Sequence, residues 1–198
     1  MTNLDFNADI ILENDRVQLR PLLKEDVKNL SKFSIQESDL WTHSLVPASG
    51  LKNLKKYVDL ALESRKNNTS YPFIVYDKLA NQYAGSTRFY DFQAYHETTQ
   101  LGYTWYGQDF QGTGLNKNCK YLLLEFAFET LGLERVEFRA DANNERSIAA
   151  MKSIGCTMEG ILRSNCVSLT DRRDSIVLSI LKSEWFDTVK TGLLERIR

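Results

Sequence analysis

The residues with the clearest chemical meaning lie in one run, Trp105-Tyr106-Gly107-Gln108-Asp109-Phe110-Gln111-Gly112-Thr113-Gly114-Leu115-Asn116. It leads from a β-branched and aromatic stretch into an amphipathic one, which predicts a strand-to-helix turn. The first N–H groups of a helix have no intrahelical acceptor, and the aligned peptide dipoles draw an anion to the same place. Gly112 and Gly114 would let phosphate oxygens reach the backbone without a Cβ in the way. The other reading is a glycine-rich loop that only turns the chain. A P-loop would close on Gly-Lys-Ser/Thr, but Leu115-Asn116 follow Gly114. A dinucleotide fingerprint would need a third glycine where Lys117 stands. Neither ATP nor NAD is expected. His43 and His96 are far apart and no G-x-S-x-G elbow is present, so a nucleophilic triad is poorly supported. Cys119, Cys156 and Cys166 leave an odd one in any pairing and lack zinc-site spacing, so they read as reduced, mostly buried thiols, with no metal expected.

These residues need elements to position them. Val17 to Arg20 alternates before Pro21 and predicts a first strand; Asp26 to Phe33 and Leu51 to Leu62 carry helical spacing and form a helical arm. Tyr71 to Tyr76 and Tyr83 to Tyr90 read as a hairpin-like pair, and Thr98 to Tyr106 as the strand entering the glycine turn. From Leu115 an amphipathic helix runs to Gly132. Arg135 to Ala140 alternates as a strand. Asn144 is an N-cap signal for a helix from Glu145 to Ile154, closed by Gly155. Thr157 to Arg163 and Ser175 to Leu181 predict two strands around the polar stretch Ser168 to Asp174, and a short helix around Trp185 to Val189 follows. The order β, α, α, β, β, β, α, β, α, β, β implies an α/β (α+β) fold with a mixed sheet of about seven strands, mostly antiparallel, and helices on both faces.

With 198 residues, 42% hydrophobic and 26% charged, the chain fits one domain spanning 1–198, with its core at about 15–185 and residues 1–14 as a peripheral tail. The net charge of -1, from 25 basic and 26 acidic residues, gives no global field for nucleic acid or an anionic membrane. No apolar stretch is long enough for a transmembrane helix or a signal peptide, so a cytoplasmic protein is expected.

The turn resembles the acyl-coenzyme-A motif of the GCN5-related N-acetyltransferase (GNAT) superfamily, Arg/Gln-x-x-Gly-x-Gly/Ala. It reads Gln111-Gly112-Thr113-Gly114-Leu115-Asn116 here, with Asn116 in place of the usual small last residue. Downstream, Asn144-Glu145-Arg146-Ser147, Lys152 and Gly155, then Met158-Glu159-Gly160-Ile161-Leu162-Arg163 are similar to the N-x-x-S, K/R-x-x-G-F and E-G-x-L-R run of the Rim-type branch, the ribosomal-protein N-terminal acetyltransferases; Cys156 replaces the aromatic. The resemblance covers residues 15 to 185.

It implies a GNAT-like domain whose central strand pair splays, exposing amides at Trp105 and Tyr106 to the pantetheine arm of acetyl-CoA; as side chains, the two also suit a core aromatic pair. It implies a pyrophosphate held at Gln111, Gly112, Thr113, Gly114, Leu115 and Asn116. Asn144 is either a plain N-cap or an amide contact to the coenzyme, and Ser147 either a first-turn serine or the proton donor to the departing thiolate. Two positions depart from relatives: Met151 stands where many place a tyrosine, and Cys166 where some place a glutamate. The general base is unassigned among Glu159, Glu137 and His96. The implied reaction is acetyl transfer from acetyl-CoA to a primary amine, the N-terminus of a protein or peptide leading. A small-molecule amine or antibiotic acetyltransferase and a non-catalytic acyl-CoA-binding module are the alternatives. The expected partners are this amine and, at most, a second copy in a homodimer.

Overall fold

The computed structural model describes residues 4–168 and 171–197. Strands β1 (Leu12–Glu13), β2 (Val17–Pro21), β3 (Ser70–Asp77), β4 (Gln82–Gln93), β5 (Thr98–Tyr106), β6 (Arg135–Asp141), β7 (Thr157–Val167) and β8 (Arg172–Leu181) form one mixed sheet in the order β1-β2-β3-β4-β5-β6-β8-β7. All neighbours are antiparallel except β5 and β6. The helices are α1 (Val27–Gln36), α2 (Leu51–Lys66), α3 (Leu115–Glu125), continued by a π-helical turn at Phe126–Thr130, and α4 (Glu145–Ser153).

Alternation along β4 sorts the two faces. Phe89 packs between Phe73 and Phe126, so it looks toward α3. Its neighbour Arg88 looks the other way, onto Tyr57 of α2. On that second face Phe33 of α1, Trp41, Tyr57 and Trp105 form an aromatic cluster. α2 is amphipathic, burying Leu54, Tyr57, Val58 and Ala61, whereas α3 is buried nearly all round and brings Asn118 and Lys120 inside with its leucines.

The element order expected from the sequence is the observed one, with eight strands instead of about seven. The additional strand is β1, two residues paired with Leu19 and Gln18 at the sheet edge. Within the stretch expected as a peripheral tail, residues 4–14 lie against the fold. Leu4 is buried, Tyr71 donates to the Ala8 carbonyl (2.6 Å) and accepts from Ile10 N–H (2.9 Å), and Arg65 Nε donates to Phe6 O (2.8 Å). The part of that expectation at residues 1–3 lies outside the described residues, as do positions 169 and 170 of the polar stretch and the end of the domain at 198. The C-terminal helical segment is longer than Trp185 to Val189, running from Lys182 to Glu195 through a π-helical turn.

Candidate active site

β5 and β6 are joined at only three positions, Thr98↔Arg135, Thr99↔Val136 and Gln100↔Glu137. Beyond these, β5 stays with β4 and β6 stays with β8, so a wedge-shaped gap opens between Leu101–Tyr106 and Phe138–Asp141. A bulge shapes its β5 wall. Arg88 faces Gly102 and Ser86 faces Trp105, leaving both Tyr103 and Thr104 opposite Thr87, with Tyr103 at φ +49°. The extra residue sends Tyr103 over Arg88 and Thr104 toward α3. Gly85 permits the fit, since a Cβ there would overlap the Trp105 carbonyl oxygen.

The glycine turn lies at the end of β5. Gly112 (φ +75°) and Gly114 (φ +85°) are left-handed, and a Cβ on either would meet no atom within 4 Å. The N–H groups of Gly112, Thr113, Gly114 and Asn116 have no backbone acceptor among the described residues, while those of Lys117 and Asn118 bond to Gly114 O. Thr113 Oγ1 donates to Phe110 O (2.9 Å) and stiffens the turn. Gln111 Nε2 donates to Tyr106 O (2.9 Å) and its Oε1 accepts from Arg146 (2.6 Å), tying the end of β5 to the first turn of α4. Leu115 is buried and its N–H donates to Thr113 Oγ1 (3.4 Å), while Asn116 Oδ1 is buried without a partner among the described residues.

Trp105 and Tyr106 are core side chains, 8% and 7% exposed, so what they offer the gap is backbone. Burial pushes the Tyr106 hydroxyl well above the usual tyrosine pKa. Asn144 caps α4, its Oδ1 accepting from Ser147 N (3.0 Å). Ser147 is half-buried and no hydrogen bond is made by its hydroxyl among the described residues; Met151, one helical turn on, is buried. Gly107 serves packing: its N–H stays bonded to Ala84 O (2.9 Å), and a Cβ there would overlap the Phe33 ring.

Of the candidate bases, Glu137 is clamped by Arg135 and Arg139, and Glu159 accepts from Arg135 and Ser179, which hold its pKa below the ordinary carboxylate value. His96 meets Tyr95 edge-to-face in the β4–β5 turn, away from the gap. His43 instead sits 3.5 Å from Asp141 at the end of β6.

Sequence reasoning missed Lys120. It is 4% exposed, its Nζ donates to Thr104 Oγ1 (2.9 Å) on one wall of the gap, and it lies 5.7 Å from the Phe138 ring on the other. Burial lowers its pKa to about 8, despite the opposing influence of the Cys119 and Cys156 thiols, themselves pushed up to about 12 by burial. The only sequence signal is a lysine between Cys119 and the Leu122-Leu123 pair on a largely apolar helix. A cation there would favour negative charge developing in the gap.

The parallel strands β5 and β6 thus part beside N–H donors at the start of a helix. Residues 16–157 match the family model for the acetyltransferase (GNAT) domain, and the chain belongs to that family as an acetyl-CoA-dependent N-acetyltransferase acting on amines. It is 25% identical over 177 residues to YdaF of Bacillus subtilis (strain 168), provisionally named a ribosomal N-acetyltransferase; the match covers 87% of this chain and 94% of that protein. The crystal structure of a GCN5-related N-acetyltransferase from Brucella melitensis superposes with a TM-score of 0.89 at 22% identity, over 98% of this chain and 88% of that one. The microcin C7 self-immunity acetyltransferase MccE, solved with acetyl-CoA and AMP, is similar at TM-score 0.76 and 19% identity, over 85% and 93% of the two chains. Among the described residues no helix is long and apolar enough to cross a membrane.

Proposed function

We propose that the chain acetylates the N-terminus of a protein or peptide, using the β5–β6 gap to hold the thioester of acetyl-CoA. The observation that carries this reading is the parting of β5 and β6 after Gln100 and Glu137, beside the free N–H groups at the start of α3. The choice of acceptor is supported by the name of YdaF.

In this reading the backbone of Trp105 and Tyr106 pairs with the pantetheine arm as an added strand would. The turn from Gln111 through Gly112, Thr113, Gly114 and Leu115 to Asn116 cradles the pyrophosphate. The capping amide of Asn144 has its Nδ2 left to donate to the coenzyme. A neutral amine attacks the thioester carbonyl directly. A β5 amide aimed into the gap stabilises the oxyanion by about 3 kcal/mol, the C–S bond breaks, and the Ser147 hydroxyl gives its proton to the leaving thiolate and regains one, through solvent, from the acetylated nitrogen, which ends as a neutral amide. Lys120 adds positive charge beneath the same gap.

The test is thermal unfolding with acetyl-CoA, ATP and NAD, followed by thiol release with N-terminal peptides and small amines. Acetyl-CoA at a hundred times its Kd should stabilise by about 2.7 kcal/mol, with far less from the other two. Equal shifts with all three remove the reading. Binding without turnover of any amine leaves a non-catalytic acyl-CoA module, and turnover confined to small amines moves the acceptor away from protein N-termini.

A further inference from the structure

Among the described residues, two buried donors on the α1–α2 face have no hydrogen-bond partner. Arg88 is 5% exposed, and its Nε meets no acceptor. Among the described residues its guanidinium forms no ion pair; it lies between the rings of Tyr103 and Tyr57, with Cζ 4.2 and 4.9 Å from their centroids. Trp41, 3% exposed, packs 6.3 Å from Tyr57 and 4.8 Å from Trp105, and its Nε1 is likewise unpartnered. Two less buried arginines are neutralised: Arg20 grips Asp26 with both Nη atoms (2.8 and 2.7 Å), and Arg16 meets Asp77 at 2.8 Å. Arg88 has no such counter-charge among the described residues.

Guanidinium and indole nitrogens only donate, so an acceptor atom must complete them, and the buried positive charge calls for an anionic one. The surrounding rings offer no carboxylate. Tyr57 accepts from Trp105 Nε1 (3.3 Å) and donates to Tyr103 O (3.4 Å), which ties the box together and leaves the two orphans open. Further along this face Arg173, 8% exposed, donates to Ser175 Oγ and the His43 carbonyl, without a carboxylate partner among the described residues.

The position of the box relates it to the reaction. Tyr103 and Trp105 belong to the length of β5 that has left β6, and Arg88 stands opposite Gly102 on the neighbouring strand. α3 and the Lys120 side chain occupy the opposite face of the gap. An amine approaching the thioester from the α1–α2 face thus meets Trp41, Tyr57 and Arg88. We infer that this aromatic box binds a carboxylate or phosphate group carried by the amine acceptor, with Arg88 as its charged anchor and Trp41 Nε1 as a second donor. The inference rests on the acetyl-transfer reading and narrows its substrate class to acceptors that bear an anion.

The experiment titrates coenzyme-A-saturated protein with matched acceptors and follows tryptophan fluorescence, since Trp41 and Trp105 line the box while Trp185 packs apart on Tyr121 and Phe128. The pairs are β-alanine and β-alaninamide, phosphoethanolamine and ethanolamine, and the peptide amides Ala-Glu-Ala and Ala-Gln-Ala, which separate carboxylate, phosphate and peptide sources. At least one acidic member should bind about tenfold to a hundredfold tighter than its neutral mate, as a charged hydrogen bond allows. Arg88→Met should erase that preference with acetyl-CoA affinity unchanged, and Trp41→Phe, which keeps an aromatic ring, should weaken it severalfold. Equal binding or no binding within every pair overturns the inference, as does a preference that survives Arg88→Met. Should Arg88→Met fail to fold, the wild-type comparison together with Trp41→Phe decides. Thiol release with acetyl-CoA is scored separately: its absence for every amine sinks the acetyl-transfer reading, while the anion preference is still read from fluorescence.

Discussion

Replacing Lys120 by methionine should make the protein more stable. The ammonium is almost wholly buried, bonds to a single hydroxyl and has no carboxylate partner among the described residues. Its pKa falls from 10.5 to about 8, so between those values the unfolded chain holds a proton that the folded chain has released, and stability rises with pH. At 1.36 kcal/mol per pH unit the difference amounts to about 3 kcal/mol by which the buried charge weakens the fold below pH 8. Methionine keeps the unbranched stem and drops the charge. It also loses the bond to Thr104, worth about 1 kcal/mol, while Thr104 and Thr87 keep each other at 2.7 Å. The net gain at pH 7 is about 1–2 kcal/mol, or about 2–8 °C in Tm for a chain of this size. Guanidinium unfolding of both proteins at pH 7 and pH 9 provides the measurement. The stability change between the two pH values should be about 1 kcal/mol more favourable in the wild type than in the variant. Cys119 and Cys156 titrate in both proteins and cancel in the comparison. A variant less stable than wild type at pH 7, or one with the wild-type pH response, refutes the reasoning.

Four further outcomes follow from the geometry. Gly85→Ala should cost about 2 kcal/mol or more, read as a lower Tm, because its Cβ overlaps a backbone oxygen that cannot rotate away. Gly114→Val places a β-branched residue at φ +85°; acetyl-CoA should no longer raise its Tm, while the apo variant loses only about 1–3 kcal/mol. Ser147→Ala should lower kcat about 100-fold with acetyl-CoA affinity nearly unchanged, whereas Cys166→Ala should do little; the reverse pattern moves proton transfer to Cys166. Asp26→Asn leaves Arg20 without its counter-charge and should cost about 3 kcal/mol in denaturant unfolding.

The sequence is legible where local chemistry and tertiary structure agree. The density of glycine after Tyr106 marks the end of β5, Asn144 caps α4 as its side chain allows, and Val136, Phe138 and Ala140 alternate because one face of β6 is buried. It is opaque where the decisive partner is remote. Two residues cannot display a period, so β1 leaves no trace. The bulge uses Tyr103 in a left-handed conformation that tyrosine seldom adopts, whereas Gly102 beside it, the residue that hints at a bulge, is not the left-handed one. Lys120 and Arg88 look like surface residues in any local window, since their burial is set by Thr104, Phe138, Tyr57 and Tyr103 from other elements. Gly107 lies in the glycine-rich run, yet Phe33, far away in sequence, is the reason a larger residue cannot stand there.

The gap between β5 and β6 is a wedge with three paired positions at its vertex and, at its mouth, a side-chain bridge from Tyr106 through Gln111 to Arg146. Those β5 amides that point into the wedge are shielded by no partner strand, although the Leu101, Trp105 and Tyr106 side chains along the same length are nearly inaccessible. Hydrogen exchange should therefore divide a single strand along its length: slow at Thr99 and Gln100, fast at gap-facing positions toward Tyr106, and slow throughout once a coenzyme supplies the missing edge.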